Sequence, residues 1–158
     1  MHTAKRSRKT SADAENTDNM ETRKQNRLKE YNYSQNGYYF ITICTVNKQK
    51  ILCSIVGDDA HIVPTKTGTV VEKFIKSIPG IDKYVIMPNH IHLIVKNENG
   101  TMWASSPTVS QKIKSFKILV TKAIGKPIFQ RSFYDHIIRD EKDYFRIWEY
   151  IENNPGKW

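Results

Sequence analysis

Apolar residues along the chain follow strand-like and helix-like spacings, and their order predicts a domain of mixed α and β structure. The run at 38–45 is β-branched and aromatic and follows a turn at Gln35-Asn36-Gly37, which predicts a strand. Both faces of this strand are apolar, so we expect it to be central. Two shorter runs at 51–56 and 61–63 flank Gly57-Asp58-Asp59 and predict an accessory hairpin. Pro79-Gly80 ends a predicted helix whose apolar stripe is Val70, Val71, Phe74, Ile75 and Ile78.

The second half of the chain predicts two strands, a helix, a strand and a final helix. Apolar runs at 84–87 and 90–96 are joined by the short turn Pro88-Asn89, so they predict an antiparallel pair. Gly125 and Pro127 end the next helix, whose stripe is Val109, Ile113, Phe116, Val120 and Ile124. A strand is predicted at 133–139. Asp140 caps the final helix, which ends before Pro155. The side chains of this helix that we expect to face the core are Tyr144, Ile147, Trp148 and Ile151.

Without the hairpin and the final helix, this order of elements is β-α-β-β-α-β. That order predicts an α+β fold, the ferredoxin-like plait, in which helices cover one face of a four-stranded antiparallel sheet. The fold by itself assigns no function.

Two histidines in the fifth predicted strand are the first candidate chemistry. His90 and His92 are two residues apart, so their side chains point to the same face of the sheet. Ile91, Leu93 and Val95 occupy the opposite face, where we expect the helices to pack, which leaves the imidazoles on the uncovered side. Two imidazoles on one face form half of a divalent-metal site. Two hydrogen-bonded histidines on a half-exposed sheet face are the alternative that this pattern leaves open.

The final helix adds a second group of polar side chains. At helical spacing Tyr150 lies about 110° from the centre of the apolar stripe, beside Arg146 and Asn154. Tyr150 and Asn154 are one turn apart on a shared face. A phenol, an amide and a guanidinium grouped outside the packing stripe indicate a reactive edge of the helix. The alternative is that the tyrosine ring only packs over the rim of the sheet.

Composition sets the limits of the domain and of its location. The chain has 158 residues, enough for one domain with a tail. Residues 1–30 carry few large apolar side chains and predict a disordered basic arm, which leaves 31–158 as the folded domain. No apolar run approaches the roughly 20 residues of a membrane-spanning helix, and the first residues lack the apolar core of a secretory signal. Only Cys44 and Cys53 are present, so a reducing cytoplasm is expected.

Charge indicates a polyanionic partner. Lysine and arginine number 25 against 16 acidic residues, a formal net charge of +9. The segment 99–134 contains no acidic residue, and its basic side chains are Lys112, Lys114, Lys117, Lys122, Lys126 and Arg131. All of these except Lys126 are candidates to contact DNA phosphates, while a solvated helix face is the alternative. Trp103 and exposed tyrosines are candidates to stack on unpaired bases.

Several separated segments, in the same order, resemble one family. They read YVIMPNHIHLI at 84–94, QRSFYDHIIR at 130–139 and YIENNP at 150–155, preceded by a similar opening at 31–45. On these residues the chain resembles the single-tyrosine HUH transposases, and among them the REP-associated tyrosine transposases. The resemblance extends from about residue 27 to residue 158.

The resemblance implies a role for each matching residue. His90 and His92 match the pair that binds a divalent cation, Mg²⁺ or Mn²⁺, and Asn154 matches the position that completes the metal site. Tyr150 matches the nucleophile, which attacks a DNA phosphate and leaves a 5′-phosphotyrosine link with a free 3′ hydroxyl. Single-stranded hairpin DNA is the implied substrate, cut and rejoined in DNA transposition or in the processing of repeated palindromes.

Other interpretations remain open from the sequence. A non-catalytic module that binds single-stranded nucleic acid on an RRM-like plait is the first, and a metal hydrolase without a covalent step is the second. His136 is a further candidate metal ligand, although hydrogen bonding within the Tyr134-Asp135-His136 run is the simpler role. If the final helix pointed away from the histidines, a second copy of the chain would complete the site in a homodimer. No membrane partner is expected.

Overall fold

A computed structural model describes residues 31, 35–98 and 106–158. The predicted arm at 1–30 and the predicted base-stacking residue Trp103 lie outside the described residues. The strands are β1 (Gly37–Cys44), β2 (Cys53–Val56), β3 (His61–Pro64), β4 (Ile81–Met87), β5 (His90–Asn97) and β6 (Tyr134–Ile138). The helices are α1 (Lys66–Ile75), α2 (Val109–Ile124) and α3 (Glu141–Glu152).

Four of the strands form an antiparallel sheet in the order β4-β5-β1-β6. With α1 and α2 as the two crossovers, this is the predicted β-α-β-β-α-β plait, and β1 is central as expected. β2 and β3 pair only with each other and form the accessory hairpin. The architecture was therefore predicted correctly, with strand and helix ends shifted by a few residues.

Each helix begins at a side chain that caps it. The Thr65 hydroxyl accepts a hydrogen bond from Gly68 N at the start of α1. Thr108 and Gln111 form a reciprocal capping box on α2. Asp140 caps α3 by accepting from Asp143 N, as predicted. At the other end of α2, Gly125 adopts φ of 85°, the left-handed conformation that favours glycine at a helix end.

The sheet separates two hydrophobic cores, because alternate residues of each strand face opposite sides. The larger core lies between the sheet and the helices α1 and α2. The strand residues in this core are Tyr39, Ile41, Ile43, Ile91, Leu93 and Val95. The smaller core lies under α3 and consists of Val85, Met87, Ile94, Ile138, Ile147 and Ile151.

This arrangement corrects two expectations. The face that carries His90 and His92 is not free of helices, because α3 packs across it through Ile147 and Ile151. Trp148 does not enter the core: it is 38% exposed, and its ring lies 3.5 Å below the Lys83 ammonium group in a cation–π contact. Trp148 stays outside the core because α3 covers only part of the sheet, so the residues on its outer side lie at the edge of the sheet.

Candidate active site

His90 and His92 lie at the start of β5, on the sheet face that α3 partly covers. The strand register sets Met87 and Cys44 on either side of His90, and Val85 and Thr42 on either side of His92. The two Nε2 atoms are 3.1 Å apart. The rings therefore converge on a single point, as two ligands of one cation do.

The second nitrogen of each ring is held by a neighbouring polar side chain. His90 Nδ1 lies 2.7 Å from Asn89 Oδ1, and because a carboxamide oxygen only accepts, Nδ1 carries the proton and Nε2 keeps its lone pair. His92 Nδ1 lies 2.8 Å from the Thr42 hydroxyl. Partners of this kind fix the tautomer and orientation of metal-binding histidines.

Burial keeps both imidazoles neutral. Burial, followed by the charge of His90, lowers the pKa of His92 to about 3. Burial is also the main reason that the pKa of His90 is lowered, and the Lys48 ammonium contributes. The neutral form is the one that binds a metal ion, so the histidine pair fits a divalent cation.

Tyr150 reaches this pair from α3 of the same chain. Its ring centroid is 5.3 Å from that of His92 and 6.0 Å from that of Phe40. Phe40 in turn stacks on His92 at 5.2 Å. Tyr150 is 41% exposed, so its position beside the histidines leaves it open to a ligand. The structure brings the predicted nucleophile to the predicted metal ligands without a second subunit.

Asn154 lies at the end of α3, where the chain enters a short 3-10 turn at Pro155–Lys157. It is only 8% exposed. Its role as a metal ligand stays a prediction. Across the residues that the structure describes, no group of three or more histidine, cysteine or carboxylate side chains could hold a metal ion.

A groove with a volume of about 470 Å³ runs beside Tyr150. Aromatic rings of Phe40, Tyr134 and Tyr150 line it, together with the cationic side chains Arg146 and Lys157. The Lys157 ammonium lies 5.9 Å from the centre of the Tyr150 ring. The predicted nucleophile therefore lies in a groove whose aromatic and cationic side chains are of the kind that bind a nucleic acid strand.

His136 lines this groove but is engaged by another residue. Its Nε2 lies 2.8 Å from Asp143 Oδ2, and because a carboxylate only accepts, Nε2 donates the hydrogen bond. This arrangement agrees with the hydrogen-bonding role predicted as the simpler one and gives no support to His136 as a metal ligand.

The predicted DNA-binding residues divide into two groups. Lys112 is buried and donates to Lys96 O, and Lys117 donates to three backbone carbonyl groups at 130–132. Burial lowers the pKa of Lys117 to about 8. The ammonium groups of these two lysines therefore make contacts within the fold, which corrects the expectation that they are, with Lys114, Lys122 and Arg131, free to contact DNA phosphates. The exposed candidates are Lys114, Lys122 and Arg131.

Sequence reasoning missed the residues that frame the histidine pair. Thr42 lies in an apolar run and gave no signal until β1 was paired with β5. Asn89 was assigned only to a turn, although its place next to His90 is a usable signal. Trp158 was not singled out either: its ring lies 5.9 Å from that of His90, with the Lys50 ammonium 5.3 Å from the Trp158 ring.

In the described part of the chain, no helix combines the length and apolar character needed to cross a bilayer.

Comparisons with known proteins connect this site to a family. No family model matches the chain. An uncharacterized protein of Haemophilus influenzae is 36% identical over 84% of this chain and 87% of its own length. The REP-associated tyrosine transposase of Escherichia coli is 35% identical over 49% of this chain, a match that spans only 44% of that protein.

A solved structure of a REP-associated tyrosine transposase bound to a REP hairpin superposes with a TM-score of 0.59. It is 25% identical to this chain, and the match covers 77% of this chain and 67% of the other. The match to this solved structure includes the fold and extends over most of the chain. In sequence and in fold, the chain is therefore similar to the REP-associated tyrosine transposases.

Proposed function

We propose that this protein cuts and rejoins single-stranded hairpin DNA through a covalent 5′-phosphotyrosine link on Tyr150. The observation that carries the proposal is the placement of the Tyr150 ring 5.3 Å from the ring of His92, whose Nε2 meets that of His90. A related transposase whose structure is solved is bound to a REP hairpin. DNA transposition, or the processing of repeated palindromic elements, is the corresponding biological activity.

His90, His92 and Asn154 are the residues that would hold Mg²⁺ or Mn²⁺. The neutral, converging imidazoles suit a cation, and the Asn154 amide offers the oxygen donor that these two metals favour. A cation bound there would withdraw negative charge from a DNA phosphate and assist its attack by a nucleophile.

Tyr150 supplies that nucleophile. Its oxygen forms a bond to phosphorus while the bond from phosphorus to the 3′ oxygen of the DNA breaks, and the 3′ oxygen leaves as a hydroxyl. The phenol loses one proton and the leaving oxygen gains one. The link preserves the energy of the phosphodiester bond, so a 3′ hydroxyl can later rejoin the strand without ATP.

The groove and the exposed cations would guide the strand to this position. Phe40 and Tyr134 offer ring faces on which unpaired bases stack. Lys114, Lys122 and Arg131 are candidate contacts to phosphates farther along the DNA. The phenol of Tyr150 lies beside the histidines of its own chain, which favours attack in cis over a shared site in a homodimer.

The test uses hairpin DNA labelled separately at its two ends, with Mg²⁺ or Mn²⁺ and denaturing gels. We expect the 3′-labelled fragment to migrate as a covalent protein adduct, and the 5′-labelled fragment to end in a hydroxyl that a polymerase can extend. Tyr150→Phe should abolish the adduct. Tyr134→Phe, which alters another tyrosine of the same groove, is the matched control and should retain it.

Two outcomes would replace this proposal. Cleavage that persists in Tyr150→Phe would indicate a metal hydrolase that uses water. Hairpin binding without cleavage by the unaltered protein would indicate a nucleic-acid-binding module.

A further inference from the structure

Two cations lie in the groove on either side of Tyr150. Arg146 precedes Tyr150 by four residues on α3, about 6 Å along the helix axis. Lys157 follows the end of α3, and its ammonium lies 5.9 Å from the Tyr150 ring. Both line the same groove as the nucleophile. A strand that passes through the groove therefore meets a positive charge before and after the point of attack.

Arg146 is held in place by a partly buried acid. Asp143 accepts a hydrogen bond from Arg146 Nη2 and another from His136 Nε2. The Asp143 side chain is only 16% exposed, whereas that of Arg146 is 71% exposed. Asp143 thus joins β6 to α3 and fixes one edge of the guanidinium. An arginine has five N–H donors, so the others remain available to a ligand.

Both cations line the groove, but neither is a candidate metal ligand or the nucleophile of the site described above. Arg146 is too exposed for its pair with Asp143 to contribute much stability, because solvent screens such pairs. A guanidinium fork and an ammonium group are the side chains that proteins use to hold phosphate. Glu149, the one acid among the described residues that line the groove, would repel a phosphate, so a continuous phosphate track along this wall is disfavoured. Two separate contacts fit this distribution of charge.

We propose that Arg146 and Lys157 are positioning residues that anchor two phosphates of the DNA strand, one on each side of the phosphate that Tyr150 attacks. Asp143, itself held by His136, keeps the Arg146 guanidinium in the orientation for this contact. Anchoring on both sides fixes the attacked phosphate relative to the phenol, which lowers the entropic cost of an in-line attack. This proposal rests on the proposed function and adds the residues that set the register of the strand.

The test is a scan of hairpin substrates in which one phosphate at a time, near the cleavage point, is replaced by a neutral methylphosphonate. With the unaltered protein, replacement at two phosphates that flank the cleaved one should reduce kcat/KM roughly tenfold to a hundredfold, the effect of losing one hydrogen bond to a charged group. In Arg146→Ala one of these two positions should become insensitive, and in Lys157→Ala the other should.

Two further variants separate positioning from a structural role. Asp143→Asn should weaken the coupling between Arg146 and its phosphate without removing it, and Arg146→Lys should restore part of the activity. Lys142→Ala changes an exposed lysine of α3 outside the groove and should leave both sensitive positions unchanged.

The same scan is repeated as a binding measurement with Tyr150→Phe protein, so that binding is measured without cleavage. If the unaltered protein does not cut any hairpin, the proposed function fails, and the binding scan still decides the role of the two cations. If Arg146→Ala and Lys157→Ala both keep the sensitivity pattern of the unaltered protein, the anchoring role is wrong.

Discussion

At the scale of single residues, the histidine pair depends on the small polar side chains around it. Thr42 and Asn89 each meet one Nδ1 atom, so that the two Nε2 atoms face each other. Phe40 covers His92 on one side and contributes to the burial that keeps the ring neutral. The two imidazoles are therefore already oriented for the cation that we propose binds there.

Thr42→Val tests this preparation at a single hydrogen bond. The substitution keeps the shape of the side chain but removes the hydroxyl at His92 Nδ1, so the imidazole loses its fixed orientation. We expect the Kd for Mn²⁺, measured by titration calorimetry, to rise about 10- to 100-fold. Thr69→Val, at an exposed threonine of α1, is the control. An unchanged Kd in Thr42→Val would show that packing alone orients His92.

Tyr144 provides a pH-dependent test at one contact of α3. Its hydroxyl donates to Asp82, and this hydrogen bond, with burial, raises the pKa of Tyr144 to about 12. In the unfolded chain the phenol titrates near pH 10. Because the folded state keeps its proton longer, the stabilisation is complete below about pH 10 and is lost as the pH rises toward 12.

Tyr144→Phe should therefore lower the free energy of unfolding by about 1 kcal/mol at pH 7. Urea denaturation across the alkaline range should show the difference between the two proteins narrowing between about pH 10 and pH 12. A difference that stays constant over this range would mean that the Asp82 contact does not control the proton of Tyr144.

At the scale of elements, the candidate active site is divided between the sheet and one helix. The candidate metal ligands His90 and His92 belong to β5, whereas Tyr150 belongs to α3. α3 is attached through two buried side chains, Ile147 and Ile151. The two halves of the site can therefore be separated by weakening α3 alone.

Ile151→Ala should do so. Loss of the buried side chain should reduce the free energy of unfolding by about 2–5 kcal/mol, and Ile151→Val by about 0.5–1.5 kcal/mol. In Ile151→Ala we expect formation of the covalent DNA adduct to fall much more than Mn²⁺ binding by the histidine pair. Equal losses of adduct and metal binding would mean that the sheet and α3 are disrupted together.

The elements themselves were predictable because their signals are local. Asp140 caps α3 through a residue three positions away, which is a local signal. The Thr45 hydroxyl instead donates to Asn89 O in the turn between β4 and β5, a contact between segments distant in the chain. Alternation in β5 predicted correctly that His90 and His92 share a face. Periodicity could not show that α3 crosses that same face, because the direction of a terminal helix depends on tertiary contacts such as Ile151 with Ile94 and Val85.

The same limit explains the site residues that were missed. Tyr150 stood out because it lies off the apolar stripe of its own helix. Thr42 and Asp143 act across element boundaries, on His92 and His136, and no spacing within one element reveals such pairs. For the same reason Lys112 and Lys117 could not be recognised as interior donors, since their acceptors lie on other segments.

At the scale of the whole molecule, the net charge of +9 is not available as a whole to a polyanion. Lys112 and Lys117 donate to backbone carbonyl groups, and Lys83 pairs with Glu152. The exposed cations Lys114, Lys122 and Arg131 remain as candidates for phosphate contacts outside the groove.

Salt dependence of DNA binding should separate these two kinds of lysine. Each phosphate contact contributes nearly one unit to the slope of log K against log salt concentration. Lys114→Gln and Lys122→Gln should each reduce the slope by about 1, measured by fluorescence anisotropy with hairpin DNA. Lys112→Met should leave the slope unchanged. A reduced slope in Lys112→Met, with none in the other two, would reverse the assignment.

The two cores on opposite faces of the sheet also predict how the molecule opens. The larger core ties α1 and α2 to β1 and β5, whereas the smaller one depends on a single helix with Phe145 and Trp148 on its outside. Segments with fewer buried contacts open at lower free energy than the rest of a domain. In hydrogen–deuterium exchange the amides of α3 should therefore exchange before those of β1 and β5. Each such opening would move Tyr150, the proposed nucleophile, away from the histidines while the sheet stays folded, so the proposed cleavage would stop without global unfolding.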